Sequence, residues 1–157
     1  MISAECGFDG NDAKDHLLVA GPTLKVNVVR LHVAAQGSAG SASINDVDAL
    51  VDTGAIVCFI DEAVARTLGL LLVDRQTICG VGGLHEANVY LARVDVPALN
   101  FSLTGQFSGV DLIAGGQRHG VLLGRNLLSH FVMNYDGPSG RVTIKTPEQT
   151  TTSTRSA

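Results

Sequence analysis

Between Leu24 and Val33 apolar and polar residues alternate, and the alternation changes phase part-way. Leu24, Val26 and Val28 occupy one parity; Val29, Leu31 and Val33 occupy the other. A period of two puts every second side chain on one face of a strand, so a parity switch predicts a strand bent by a bulge near Val28. His32 sits within this alternation and is expected to face solvent. Gln36 to Ser43, rich in Gly, Ser and Ala, reads as a hairpin loop, and Ile44 to Val51 as the returning strand. His16 to Ala20 reads as an earlier extended stretch. Only 4% of the 157 residues are aromatic and none is Trp, while 45% are hydrophobic. The core of such a chain must be built from Val, Leu, Ile and Ala, whose β-branched members favour strands. Eighteen glycines against four prolines supply many tight turns, as expected of short strands closing into a sandwich or a barrel.

The returning strand ends in Ala49-Leu50-Val51-Asp52-Thr53-Gly54-Ala55. A carboxyl group thus stands where the chain leaves its core. Burying an acid is costly unless its charge is shared or hydrogen-bonded, and Thr53 and Gly54 offer backbone amides and a tight turn beside it. That is the layout of a catalytic acid. On these residues alone, an ordinary strand-ending Asp-Thr-Gly turn fits as well.

Downstream, Ile56 to Ile60 is a second apolar run. Asp61 is a favourable N-cap for a short helix, with Glu62 in its first turn, Ala63, Val64 and Leu68 at helical spacing and Gly69 closing it. Leu70 to Ile78 reads as a strand leading into Cys79-Gly80-Val81-Gly82-Gly83-Leu84-His85, and Asn88 to Val96 as its return. Three glycines around one valine make a hairpin tip able to move, as a lid over a substrate must; a plain glycine-rich hairpin is the other reading. Phe101 to Ile113 predicts two short strands and Ala114 to Gly120 a loop. Val121 to Gly124 predicts a strand followed by a helix to about Phe131. Val132–Tyr135 and Arg141–Lys145 flank a turn at 136–140, so Asp136 is a turn residue.

The net charge of −4 is not gathered into a block, so neither a nucleic-acid footprint nor a polybasic membrane patch is expected. Cys6, Cys58 and Cys79 are odd in number and widely spaced, which points to a reducing compartment with no disulfide framework and no metal site. No apolar run reaches the roughly 18 residues of a membrane-spanning helix, and Met1 to Asp15 is too polar for a signal peptide, so a cytoplasmic location is expected. Residues 1–15 and 146–157 are expected to be flexible, leaving 16–145 as one domain. His119 and His130 are expected to be solvent-exposed, and no Ser-His-Asp or Cys-His arrangement stands out.

Three segments occur in order: Asp52-Thr53-Gly54-Ala55 after an apolar strand, Gly80-Val81-Gly82-Gly83 in a hairpin, and Val121-Leu122-Leu123-Gly124-Arg125-Asn126-Leu127-Leu128. Together they resemble the retropepsins, the retroviral-type aspartic peptidases, and their cellular and bacterial relatives. The resemblance spans roughly Leu24 to Lys145, and its third segment is the most specific. It implies a mostly-β closed barrel with a glycine-rich flap hairpin and one or two short helices, working as a homodimer without a cofactor. It makes Asp52 the catalytic acid, Thr53 the hydroxyl that locks two active-site turns together across the dimer, and Gly54 an acceptor for substrate backbone. Ala55, Ile56, Val57, Gly80, Val81, Gly82 and Leu122 would contact substrate, with Val81 at the lid tip. Leu123, Gly124 and Arg125 would support the turn. The chain departs from the retroviral pattern at Ile56 and Val57, where an acidic residue usually pairs with the helix arginine. Arg125 must therefore find another partner, and the pocket should be more apolar.

Peptide hydrolysis of this kind needs two carboxyls that share one proton. The sequence holds one Asp-Thr-Gly, so the second acid is expected from another copy across a two-fold axis. The function implied is an aspartic endopeptidase acting on extended, apolar-rich polypeptide. The rival is a non-proteolytic peptide-binding or assembly module that keeps the fold.

Overall fold

The computed structural model describes residues 1–31, 42–80 and 82–148. His32, Val33, most of the loop expected at 36–43, the lid-tip Val81 and the tail from 149 lie outside the described residues. The strands are β1 (Ser3–Glu5), β2 (Thr23–Arg30), β3 (Ser43–Val51), β4 (Phe59–Asp61), β5 (Leu71–Gly80), β6 (Gly83–Val96), β7 (Phe101–Val110), β8 (Val121–Leu123), β9 (Val132–Asp136) and β10 (Arg141–Lys145). The helices are α1 (Ala13–Ala20), α2 (Glu62–Leu68) and α3 (Arg125–Leu128), with a 3-10 turn at Pro97–Leu99.

Six strands close on themselves in the order β2-β3-β8-β4-β7-β6, and β2 pairs back onto β6 to complete a barrel. The barrel closes next to an irregularity in the β2–β3 pairing. Val26 pairs with Val47 but Val28 pairs with Ile44, so two residues of β3, Asn45 and Asp46, stand opposite Asn27 alone. The extra residue therefore belongs to β3. Asp46 takes a positive φ of 57°, and its N–H donates to Asn27 Oδ1 at 3.1 Å. From Asn27 onward β2 also pairs with β6, Val28 facing Val94 and Arg30 facing Ala92. A bulged strand bends and twists more strongly than a regular one, so β3 curves just where β2 also takes up β6.

The barrel interior is aliphatic, as the scarcity of aromatics requires. Val26, Val28, Ala49, Ile60, Ala92, Val94, Val96, Val121 and Leu123 are fully buried there with Phe107. β5 lies outside the closed circuit, paired only with β6 among the described residues, and the two form a long hairpin.

The expected capping of α2 is observed: Asp61 Oδ1 accepts from Ala63 N at 2.9 Å and Val64 N at 3.3 Å, and Gly69 ends the helix at φ 61°. Elsewhere the structure differs from expectation. His16–Ala20 is helical, because Ala13, Leu17 and Ala20 form the buried stripe of α1. Residues 1–15, expected to be flexible, contain β1, which pairs antiparallel with β10. Cys6 is buried, and its N–H donates to Val142 O at 2.8 Å. Phe101 to Ile113 yields one strand rather than two, since β7 pairs with β6 along its length. Among the described residues no helix is long and apolar enough to cross a membrane, and no group of three or more His, Cys, Asp or Glu is placed to hold a metal ion.

Candidate active site

β8 is inserted between β3 and β4. It runs parallel to β3, with Ala49, Leu50 and Val51 opposite Val121, Leu122 and Leu123, and antiparallel to β4. The chain from Asp52 to Cys58 must therefore cross over the end of β8 to join β3 to β4. That crossing is the turn that carries the acid. Asp52 N donates to Leu123 O at 3.0 Å and Ala55 N to Asp52 O at 3.3 Å, so the turn is tied both to β8 and to itself. Gly54 N donates to Asp52 Oδ1 at 2.9 Å. This hydrogen bond fixes the orientation of the carboxyl group. Asp52 is half-buried while Thr53 and Gly54 are exposed, so the carboxyl faces outward from a rigid base.

The base is fastened from α3. Arg125 N and Asn126 N donate to Ala55 O at 2.9 Å and Ile56 O at 3.1 Å, hydrogen-bonding the first turn of α3 to the loop that carries Asp52. The Arg125 side chain reaches the same loop. Its Nη1 donates to Thr53 O at 2.9 Å, with Gly54 O at 3.5 Å. The partner that Arg125 lacked in the sequence is thus a pair of main-chain carbonyls, charge-assisted acceptors that need no acidic side chain. Gly124 makes this approach possible, because a Cβ there would overlap the Val57 carbonyl.

Cys58 and Asn126 complete the junction, and the sequence reading gave neither a role. Gly124 N donates to Cys58 Sγ at 3.2 Å, and Cys58 Sγ donates to Asn126 Oδ1 at 3.1 Å. Burial pushes the Cys58 thiol up to about 11 despite backbone hydrogen bonds that oppose the shift, so it stays neutral and acts as a strut. Only the coincidence of an apolar Cys with an Asn two residues after a glycine could have signalled this pair.

The structure brings Asp52, Thr53, Gly54, Ala55, Ile56, Val57, Leu122, Leu123, Gly124 and Arg125 into one cluster through the pairings above. Ile56 is exposed, whereas Val57 and Leu122 are half-buried. Gly80 and Gly82 stand exposed on the β5–β6 hairpin, with open space where a Cβ on Gly80 would point. At the side of this hairpin lies a groove of about 800 Å³, lined by Ile78, His85, Asn88, Tyr90, Glu62 and Arg75 among others. Asp52 is not part of its lining. The Glu62 carboxylate there accepts from Asn88 Nδ2 at 3.0 Å and Tyr90 OH at 2.9 Å, pinning the hairpin base to α2.

Asp61 is a second acid near the cluster, but its capacity is spent. Besides capping α2, its Oδ2 accepts from Leu112 N and Ile113 N, each at 2.9 Å, and the residue is buried. Four backbone donors on one carboxylate make it a structural tie between α2 and the 111–116 loop. His119 departs from expectation: it is 1% exposed rather than solvated. Its Nε2 lies 2.9 Å from Thr23 Oγ1, and Nδ1 has no partner among the described residues. The Thr23 hydroxyl meets the ring from β2, a long-range contact no local pattern announces. His130 is exposed, packed beside Phe101.

The sequence matches a family described as aspartyl protease over residues 33–127. Nothing among the curated proteins matches it. Among solved structures, the chain is similar to the EIAV protease complexed with the inhibitor HBY-793, at 20% identity over 69% of this chain and 85% of that one, with a TM-score of 0.45. It is also similar to the retroviral protease-like domain of Ddi1 from Leishmania major, at 14% identity over 82% of this chain and 97% of that one, with a TM-score of 0.42.

Proposed function

The chain belongs to the aspartyl protease family, and on that premise we propose that it is an endopeptidase whose working site is completed by a second copy of itself. The observation that carries this reading is Asp52: one outward-facing carboxyl, held by Gly54 N–H at 2.9 Å, on a turn fastened from β8 and α3. Asp61, the other acid of this region, is saturated by backbone donors and cannot serve. A second Asp52 across a two-fold axis supplies the missing carboxyl with identical geometry.

Two carboxyls about 3 Å apart cannot both ionise, so the pair holds one proton between them and titrates as a unit. The ionised member takes a proton from a water lying between the two. The protonated member gives its proton to the carbonyl oxygen of the peptide under attack. Collapse of the tetrahedral species then breaks the C–N bond: the carboxyl that took the water's proton passes it to the leaving nitrogen, and the other carboxylate takes back a proton from a hydroxyl of the tetrahedral carbon.

Thr53 locks the two turns together, and Arg125 keeps each from relaxing. An extended substrate lies between the turns and the β5–β6 hairpins, with its backbone amides directed at Gly54 O. Ile56, Val57 and Leu122 give it apolar surroundings, which favours apolar-rich segments.

Support for the dimer comes from β9. This strand ends the β1-β10-β9 sheet, pairs only with β10 among the described residues, and exposes all five of its side chains. An unpaired strand edge is a template for another strand, and antiparallel pairing of β9 with its own copy generates a two-fold axis.

The test is cleavage of an unfolded protein substrate at mildly acidic pH by purified wild-type chain and by Asp52→Asn. Wild-type cleavage that disappears in the variant is the expected result. Equal cleavage by both, or none by wild type at concentrations where it is dimeric, refutes the proposal.

A further inference from the structure

β6 pairs with β7 from Val89 to Val96; before Val89 only β5 lies beside it among the described residues. The end of the β5–β6 hairpin is therefore an arm that leaves the barrel at Val89, where Ser108 of β7 is its last partner. From Val89 to Gly83 the arm is about 20 Å of extended chain. A tilt of about 10° at its root would carry its end by about 3 Å, further than a hydrogen bond to substrate can stretch. Burial changes at the same point: residues 83–86 are exposed, whereas Ala87, Val89 and Tyr90 are buried.

Side-chain bonds tie this root down. Gln76 Nε2 on β5 donates to the buried Ser108 Oγ on β7 at 2.7 Å. From α2, the Glu62 carboxylate accepts from Asn88 Nδ2 and, at 2.9 Å, from Tyr90 OH. Burial, and then the bond to Glu62, raise the Tyr90 phenol above its ordinary pKa, so the hydroxyl stays protonated and donates. The fit is close, because a Cβ on Gly109 would overlap both the Glu62 carboxylate and the Tyr90 ring. Arg66 Nε also lies 3.6 Å from Glu62, but its side chain is 69% exposed and adds little. Glu62 in turn stands at a fixed place relative to Asp52. It follows directly on β4, whose Ile60 and Asp61 are buried, and β4 begins where the turn that carries Asp52 ends. The acid and the root of the arm are set on one short, rigid span.

We propose that Glu62 and Tyr90 are positioning residues for peptide hydrolysis: their hydrogen bond docks the root of the hairpin on α2 and so sets where its end lies over the Asp52 turn. The inference rests on the peptidase reading and adds to it a contact that governs substrate capture through the hairpin. A hairpin with an undocked root must dock again before substrate is held, so apparent affinity falls in proportion to the docked fraction. Once substrate is bound the root is docked, and the chemical step at Asp52 is unaltered. Loss of the contact therefore acts on KM and spares kcat.

The experiment is amide hydrogen exchange at residues 77–80 and 82–86, with β2 as internal reference, in wild type, Tyr90→Phe, Glu62→Gln and the control Ser102→Ala. It is joined to kcat and KM for a peptide spanning a bond that wild type cleaves in unfolded protein. Tyr90→Phe keeps the buried ring and removes only the hydroxyl. Ser102 Oγ donates to Asp95 Oδ1 at 2.7 Å at the other end of the β6–β7 pairing, so the control deletes a comparable bond away from the root. In Tyr90→Phe, exchange at the hairpin end should be about tenfold faster with β2 unchanged, and KM should rise about two- to tenfold while kcat stays within about twofold. Gln at position 62 still accepts from Tyr90, so Glu62→Gln should fall between wild type and Tyr90→Phe. Unchanged exchange in Tyr90→Phe overturns the inference, and so does faster exchange with an unchanged KM; either leaves the peptidase reading intact. An equal effect in Ser102→Ala also overturns it, by showing that any lost bond along β6 loosens the arm. A wild type that cleaves no peptide overturns the peptidase reading and this inference with it.

Discussion

Mixing wild-type chain with Asp52→Asn separates a site made by two chains from a site made by one. Asn matches Asp in size, and its side-chain oxygen can still accept the Gly54 N–H that holds Asp52 Oδ1 at 2.9 Å. The turn should therefore persist while the ability to ionise is lost. Each chain contributes a single Asp-Thr-Gly, so every mixed dimer pairs one carboxyl with one amide and cannot share a proton. With equal amounts exchanged to equilibrium, random pairing leaves about a quarter of dimers with two carboxyls, whereas independent chains would leave about a half of the activity. Loss of positioned acid–base chemistry costs about 100-fold or more in rate, so mixed dimers contribute almost nothing. The assay is initial rate of peptide cleavage at fixed total protein, well above the dimer dissociation constant, as the wild-type fraction is varied. The rate should follow the square of that fraction. A straight line through the same range would refute the two-chain site.

Three further outcomes follow from the site and its surroundings. Gly124→Ala drives a methyl into the Val57 carbonyl, where backbone cannot yield cheaply. It should cost about 2 kcal/mol or more, visible as a lowered midpoint in urea or heat. Arg125→Ala removes the hydrogen bond to Thr53 O at 2.9 Å. This loosens a turn that is otherwise intact, so kcat should fall further than the roughly 1–2 kcal/mol lost in protomer stability would suggest, and Arg125→Lys should recover only part of it. Burial holds the His119 imidazole below its ordinary pKa, aided by Arg118 and opposed by Asp48. The unfolded chain therefore takes up this proton first as pH falls. The associated stability is fully present above about 6.5, the ordinary histidine value, and is lost on acidification down to the folded-state pKa. Urea midpoints measured from pH 8 to 5 should fall more for wild type than for His119→Gln.

How far the chain could be read in advance depended on the range of the forces involved. The phase change at Val28, the Asp61 cap and the Gly69 stop were legible because each is a contest among a few neighbouring residues, decided by side-chain parity or by one hydrogen bond. Asp52 was legible for a related reason: a carboxyl that follows an apolar run has few places to be. What could not be read lies between segments distant in sequence. β1 finds β10 across most of the chain. α1 was missed because its stripe begins at Ala13, before the stretch that reads as extended, and only the surface it packs against makes Ala13 and Ala20 core residues. His119 follows a polar loop and looks solvated until Thr23 is laid beside it.

The fastening of the catalytic turn joins these two cases. Ile56 and Val57 stand where an acidic partner for Arg125 is usual, and the sequence could register only the vacancy. In the fold, the close crossing at Gly124 brings the α3 backbone against the turn, so Ala55 O and Ile56 O are taken up by main-chain amides and Thr53 O is left for the guanidinium. An acid that paired with Arg125 would also place a second negative charge beside Asp52. Carbonyl dipoles hold the arginine without that cost and leave the flank apolar. The absence of the acid therefore leaves the Asp52 turn fastened, with Ile56 exposed beside it.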